Sequence, residues 1–109
     1  MTDAEHYTYR VQWSQEDEQF LGTVAEFPSL SWAADSSSEA FAGIRSVVVE
    51  VLADMADTGE VPPVAFGDRT YSGRFLVRMP PGLHRQLVIE AAEQQVSLNS
   101  LALTRLVGA

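Results

Sequence analysis

Arg74-Phe75-Leu76-Val77-Arg78-Met79-Pro80-Pro81 alternates with period two. Phe75, Val77 and Met79 fall on one face of a strand, and Arg74, Leu76 and Arg78 on the other. Pro80-Pro81 stops the strand and opens a helix, because proline suits a first helical turn. Leu83, Leu87, Val88 and Ala91 give that helix an apolar stripe. Val96-Ser97 interrupts it, and Ser97 is placed to cap a further helix with Leu98, Leu101, Ala102 and Leu106 on its apolar side. A strand and two helices within residues 73–109 are too few to build a core, and a lone strand leaves a row of backbone donors and acceptors unpaired. Two-fold pairing of the strand with its own copy answers both deficits. Phe75, Val77 and Met79 are then the expected dimer core, and Arg74, Leu76 and Arg78 project outward. Such a ribbon fits the DNA major groove, where arginines donate to guanine edges or phosphates and Leu76 meets a thymine methyl. The helix start at Ser97, Leu98 and Asn99 is suited to a phosphate.

Outward from this stretch, charge changes sign. The 109 residues carry fifteen acids and seven bases, all of the bases arginine, for a net −8. Residues 1–72 hold thirteen acids and three arginines, a net of −10. Residues 73–109 hold two acids and four arginines, a net of +2. Blocks of opposite sign mark different partners for the two halves, the plainer reading being that acidity only maintains solubility.

The first half alternates as well. Tyr7, Tyr9, Val11 and Trp13 share one face of a strand over 7–14, and Phe20 to Phe27 forms a second strand joined to it by the polar turn Gln15-Glu16-Asp17-Glu18. Gly22 inside the second strand implies a bulge or a close backbone approach. Leu30 to Ala34 is a short third strand. Ser36 and Glu39 have capping-box spacing, in which the carboxylate reaches back to the cap residue. Ala40, Phe41, Ile44, Val48, Val51, Leu52 and Met55 then form one helical face. Val47-Val48-Val49 has weak helix propensity, so packing must hold this helix. Gly59 is the expected helix stop. Residues 59–73 contain two prolines and three glycines and read as a connector, with Val64 and Phe66 expected to pack back as an edge strand. The fold class is α+β, with domains at 1–66 and 73–109 and a linker at 67–72.

Ser72-Gly73-Arg74-Phe75-Leu76-Val77-Arg78-Met79-Pro80-Pro81, Leu83-His84 and Val96-Ser97-Leu98-Asn99-Ser100-Leu101 together resemble a ribbon-helix-helix DNA-binding module. The likeness spans nearly all of residues 72–109. Two positions depart from it. Leu76 stands where a polar residue is usual, and Gln95 stands where glycine commonly precedes the second helix. The stretch Gly22-Thr23-Val24-Ala25-Glu26-Phe27-Pro28-Ser29-Leu30-Ser31, with Glu39-Ala40, resembles the N-terminal domain of HicB-type antitoxins. That resemblance implies a partial ribonuclease-H-like layer of antiparallel strands and one helix. It also implies a partner, a HicA-like toxin that is a small basic ribonuclease, and operator DNA as the ligand of the C-terminal module.

Several function classes are set aside by the residues themselves. The chain has no cysteine and only His6 and His84, so thiolate and His-rich metal sites are not expected. There is no long apolar run, and the acidic start is followed by no apolar h-region, so the expected compartment is the cytoplasm. Metal-dependent nuclease chemistry needs converging carboxylates with one inside the first strand, and that strand offers Arg10 and Gln12 instead. Glu26 and Asp35 lie at strand ends, and Glu16, Asp17 and Glu18 in a turn. His84 is expected on the surface near DNA, and Trp13 and Trp32 in a core or a partner contact. With these classes set aside, the two resemblances imply a non-enzymatic, cofactor-free antitoxin and autorepressor, a homodimer or tetramer on a palindromic operator. The alternative is a ribbon-helix-helix repressor whose acidic domain binds another protein or a small ligand.

Overall fold

A computed structural model describes residues 3–108, and the chain divides into two units, the first running to Tyr71 and the second starting at Ser72. In the first unit, β1 (Tyr9–Ser14), β2 (Gln19–Val24) and β3 (Ser31–Ala34) form an antiparallel sheet in the order β1-β2-β3. Tyr9 opposes Val24, Val11 opposes Gly22 and Trp13 opposes Phe20, while Gly22 and Phe20 in turn oppose Trp32 and Ala34 of β3. Directly opposed residues share a face, so the alternation of the sequence becomes one aromatic and aliphatic face of the sheet.

That face is covered by α1 (Ser37–Thr58). Ile44 and Val48 are fully buried, which is how packing holds a helix containing three consecutive valines. Gly22 permits close approach: a Cβ there would stand 2.7 Å from the Ala40 carbonyl oxygen. Gly43 performs the same service from the helix side, since a Cβ would lie 2.0 Å from Trp32 Cδ1. Ser36 Oγ accepts from Glu39 N and donates to Glu39 Oε1, at 3.2 and 3.1 Å. The carboxylate thus reaches the cap hydroxyl, where the spacing had predicted the cap amide. At the other end Gly59 adopts φ +78°, and Glu60 N donates to Met55 O at 2.9 Å.

The connector after α1 differs from the expected edge strand. No strand forms over 61–66; Ala65 is fully buried, whereas Val64 and Phe66 remain exposed. A one-turn 3-10 helix, Phe66–Asp68, follows. Side chains fasten this strap rather than a backbone ladder. Tyr7 Oη donates to Pro63 O at 2.6 Å, and Glu26 Oε2 accepts from Phe66 N at 2.9 Å. His6 Nδ1 lies 2.8 Å from Asp68 Oδ2, and the Arg69 guanidinium sits over the Phe66 ring. No helix among the described residues is long and apolar enough to cross a membrane.

The second unit contains α2 (Pro81–Glu93) and α3 (Leu98–Val107). Pro81 occupies the first turn of α2. Gln94 N, Gln95 N and Val96 N donate to Glu90 O, Ala92 O and Ala91 O, closing α2 with Gln95 at φ +57°. Ser97 Oγ accepts from Ser100 N at 3.0 Å and starts α3. An ion pair between Arg105 and Glu90 ties the two helices together.

Candidate nucleic-acid interface

The segment preceding α2 is not a strand in the single chain: residues 74–80 carry no regular secondary structure. The physical reason is the absence of a ladder partner. Gly73 turns the chain at φ +81°, and Ser72 Oγ accepts from Arg74 N at 3.1 Å. From Phe75 to Met79 no backbone hydrogen bond is made among the described residues. Unpaired backbone of this length is a template for another strand.

Phe75, Leu76 and Val77 are 77%, 79% and 55% exposed, and Met79 is half-buried. Of the expected dimer core, Phe75 and Val77 stand open to solvent in one chain, as does Leu76 from the face expected to point outward. They border a cleft of roughly 950 Å³ whose other walls are Leu87 of α2 and Leu98, Leu103 and Leu106 of α3. Arg74, Arg78, His84 and Asn99 reach the same cleft. Ala91 and Leu101 are the buried side chains of this unit among the described residues. Units of this size with so little buried apolar surface usually need a disulfide, a metal or a partner chain for stability.

Charge in this unit is asymmetric in its availability. Arg105 is neutralised by Glu90, whereas Arg74, Arg78 and Arg85 make no ion pair among the described residues. At the start of α3 the Ser97 hydroxyl takes the Ser100 amide and leaves the amides of Leu98 and Asn99 without an intrahelical acceptor. Two free guanidinia on an unpaired segment and a helix start that attracts anions are the elements of a phosphate and base-edge contact.

The acids at the strand ends are otherwise engaged. Glu26 is buried, and its carboxylate accepts from Thr8 N, Thr8 Oγ1 and Phe66 N at 2.9, 3.0 and 2.9 Å. Burial pushes this carboxyl up, but the bonds from Phe66 and Thr8 together outweigh it and hold it below the usual glutamate value. Asp35 accepts from Gln19 at the sheet end. Among the described residues no group of three His, Asp or Glu side chains gathers to hold a metal. The sequence places Tyr7 on a strand face and Glu26 at a strand end but does not show that both hold the strap, and it gives no sign of the buried Ala65; these roles depend on a segment that returns from far along the chain. Trp13 and Trp32 are each about half exposed, at 50% and 47%.

No curated protein and no solved structure matches the chain. A family match covers the end of the strap, the unpaired segment, α2 and most of α3, and residues 1–66 lie outside it. Over residues 67–106 the chain matches the model of the HicB family.

Proposed function

We propose that this protein is the antitoxin of a type II toxin–antitoxin system, acting by binding and not by catalysis. In this reading the second unit pairs with its copy through residues 74–79 as a ribbon-helix-helix dimer. The ribbon enters the major groove of a palindromic operator and represses the operon. The acidic first unit, a partial ribonuclease-H-like layer, covers a HicA-like toxin in the cytoplasm. The observation that carries this is the unpaired Phe75–Met79 backbone beside an open apolar cleft, flanked by the unpaired Arg74 and Arg78, inside the stretch that matches the HicB family. A net charge of −10 on residues 1–72 supports a basic partner for the other half, through steering and electrostatic complementarity.

The test is a gel shift on the promoter fragment of the gene with wild type and Arg74→Ala/Arg78→Ala. Each lost base contact costs about 1–3 kcal/mol and the dimer presents each arginine twice, so binding falls by at least a hundredfold. Wild-type binding should weaken steeply with salt, as phosphate contacts release counterions. The double variant should still rescue growth when co-expressed with the toxin gene. Undiminished operator binding by the variant would remove the ribbon from the DNA interface.

A further inference from the structure

The sheet of the first unit ends at β3 in an edge without a further strand among the described residues. In an antiparallel ladder, successive residues turn their N–H and C=O to opposite sides. Ala25 N donates to Thr8 O at 2.9 Å, so Thr23, Leu21 and Gln19 turn toward β1, and Gly22 and Phe20 toward Trp32 and Ala34 of β3. Ser31 and Ala33 are thereby left with their N–H and C=O directed away from the sheet, and both residues are exposed. Edges are ordinarily blunted by charge, proline or a bulge. Ser31-Trp32-Ala33-Ala34 is short, at four residues, but carries no charge, proline or bulge. β1, at the opposite edge, carries Arg10.

What surrounds the edge selects the occupant. Trp32, seated in the space left by Gly43, keeps 47% of its surface open beside β3. Asp35 follows the strand directly and Glu39 lies one turn beyond. The Gln19–Asp35 bond draws the Glu16–Glu18 turn to the same end of the sheet. A second copy would bring two bodies of charge −10 together here. A net-positive chain meets a complementary field and an aromatic anchor.

We propose that β3 is the docking edge for an extended strand of a net-positive protein, paired through the backbone of Ser31 and Ala33 with Trp32 as side-chain anchor. This rests on the antitoxin reading, in which that protein is the toxin, and adds where on the acidic unit it binds.

The probe is the small basic protein encoded beside this gene, co-expressed with the full-length chain. Ala33→Pro deletes an outward N–H that makes no bond to β2, at an edge position where proline is tolerated. Ala33→Thr keeps the N–H. The proline variant should bind the probe at least about tenfold more weakly, since a bond is lost and a partner carbonyl is left unpaired. The threonine variant should match wild type. In wild type, binding should slow hydrogen exchange at the Ser31 and Ala33 amides, a readout that stands even where the proline variant does not fold. Unchanged affinity in a folded proline variant, or unprotected amides in the complex, overturns the edge assignment and leaves the antitoxin reading intact. A wild type that does not bind the probe overturns the antitoxin reading and the edge assignment with it. A fall in self-association of the proline variant without the probe would give the edge to a second copy instead.

Discussion

Gln95 sits at φ +57°, where a side chain crowds the backbone and glycine does not. The bonds from Gln95 N to Ala92 O and Val96 N to Ala91 O require this left-handed residue to end α2. The departure from glycine noted in the sequence therefore has a cost, set against the extra chain entropy glycine adds when unfolded. Gln95→Gly should raise stability by about 0.5–1 kcal/mol, seen as a higher urea midpoint at unchanged slope. A lowered midpoint would mean that the Gln95 side chain contributes a contact that outweighs its strain. Gly22 and Gly43 present the opposite case: both are occupied by neighbours, Ala40 O and Trp32, that leave no room for a Cβ.

At the scale of elements, the strap over residues 61–69, with only one 3-10 turn of its own, is held by three side chains that flank β1 and β2. Tyr7 and Glu26 bond its backbone, and His6 faces Asp68. Because the folded Glu26 pKa lies below its unfolded value, its contribution is present above the unfolded value and is lost as pH falls through the folded one. His6 runs the other way. Its bond to Asp68 raises its pKa, so its smaller, solvent-exposed contribution is present below the unfolded value and fades as pH rises through the folded one. Glu26→Gln should destabilise the first unit at neutral pH by roughly 1–3 kcal/mol and flatten the acid limb of its stability profile. Thermal melts followed by tryptophan fluorescence report this unit alone, as Trp13 and Trp32 both lie in it. An acid limb identical to wild type would mean that Glu26 does not carry the acid sensitivity.

For the whole molecule, the two units follow opposite rules of stability. The first buries Tyr7, Val24, Ile44, Val48 and Ala65 in one core and stands on its own packing. The second leaves Phe75, Leu76, Val77, Leu103 and Leu106 exposed in the single chain. Its order is expected to depend on protein concentration, as for any unit whose core is completed by a copy. Val77→Glu places a charge in that proposed core, where no cation awaits it. Light scattering should then report a monomer at micromolar concentration, with helical signal lost from the second unit and tryptophan fluorescence unchanged. A wild type that is itself a folded monomer at that concentration would contradict the proposed ribbon.

The sequence by itself determined the elements of local origin. Alternation set the faces of β1 and β2, Ser36 and Ser97 set two helix starts, and Gly59 set a helix stop. These depend on side-chain period and on backbone groups within a turn or two. It also placed the charge asymmetry and the arginines of residues 74–78. Only the tertiary structure decided that Ala65, and not Val64 or Phe66, closes the core, that Glu26 is a buried anchor, and that Trp32 fills the space above Gly43. It decided as well that Ser31 and Ala33 face an open edge, because that depends on ladder register across three strands. Such contacts join residues tens of positions apart, and neither period nor propensity encodes which distant backbone amide a carboxylate will find. The segment over 74–79 lies between these cases: its strand pattern is written in the sequence, but a strand exists only where a second one pairs with it.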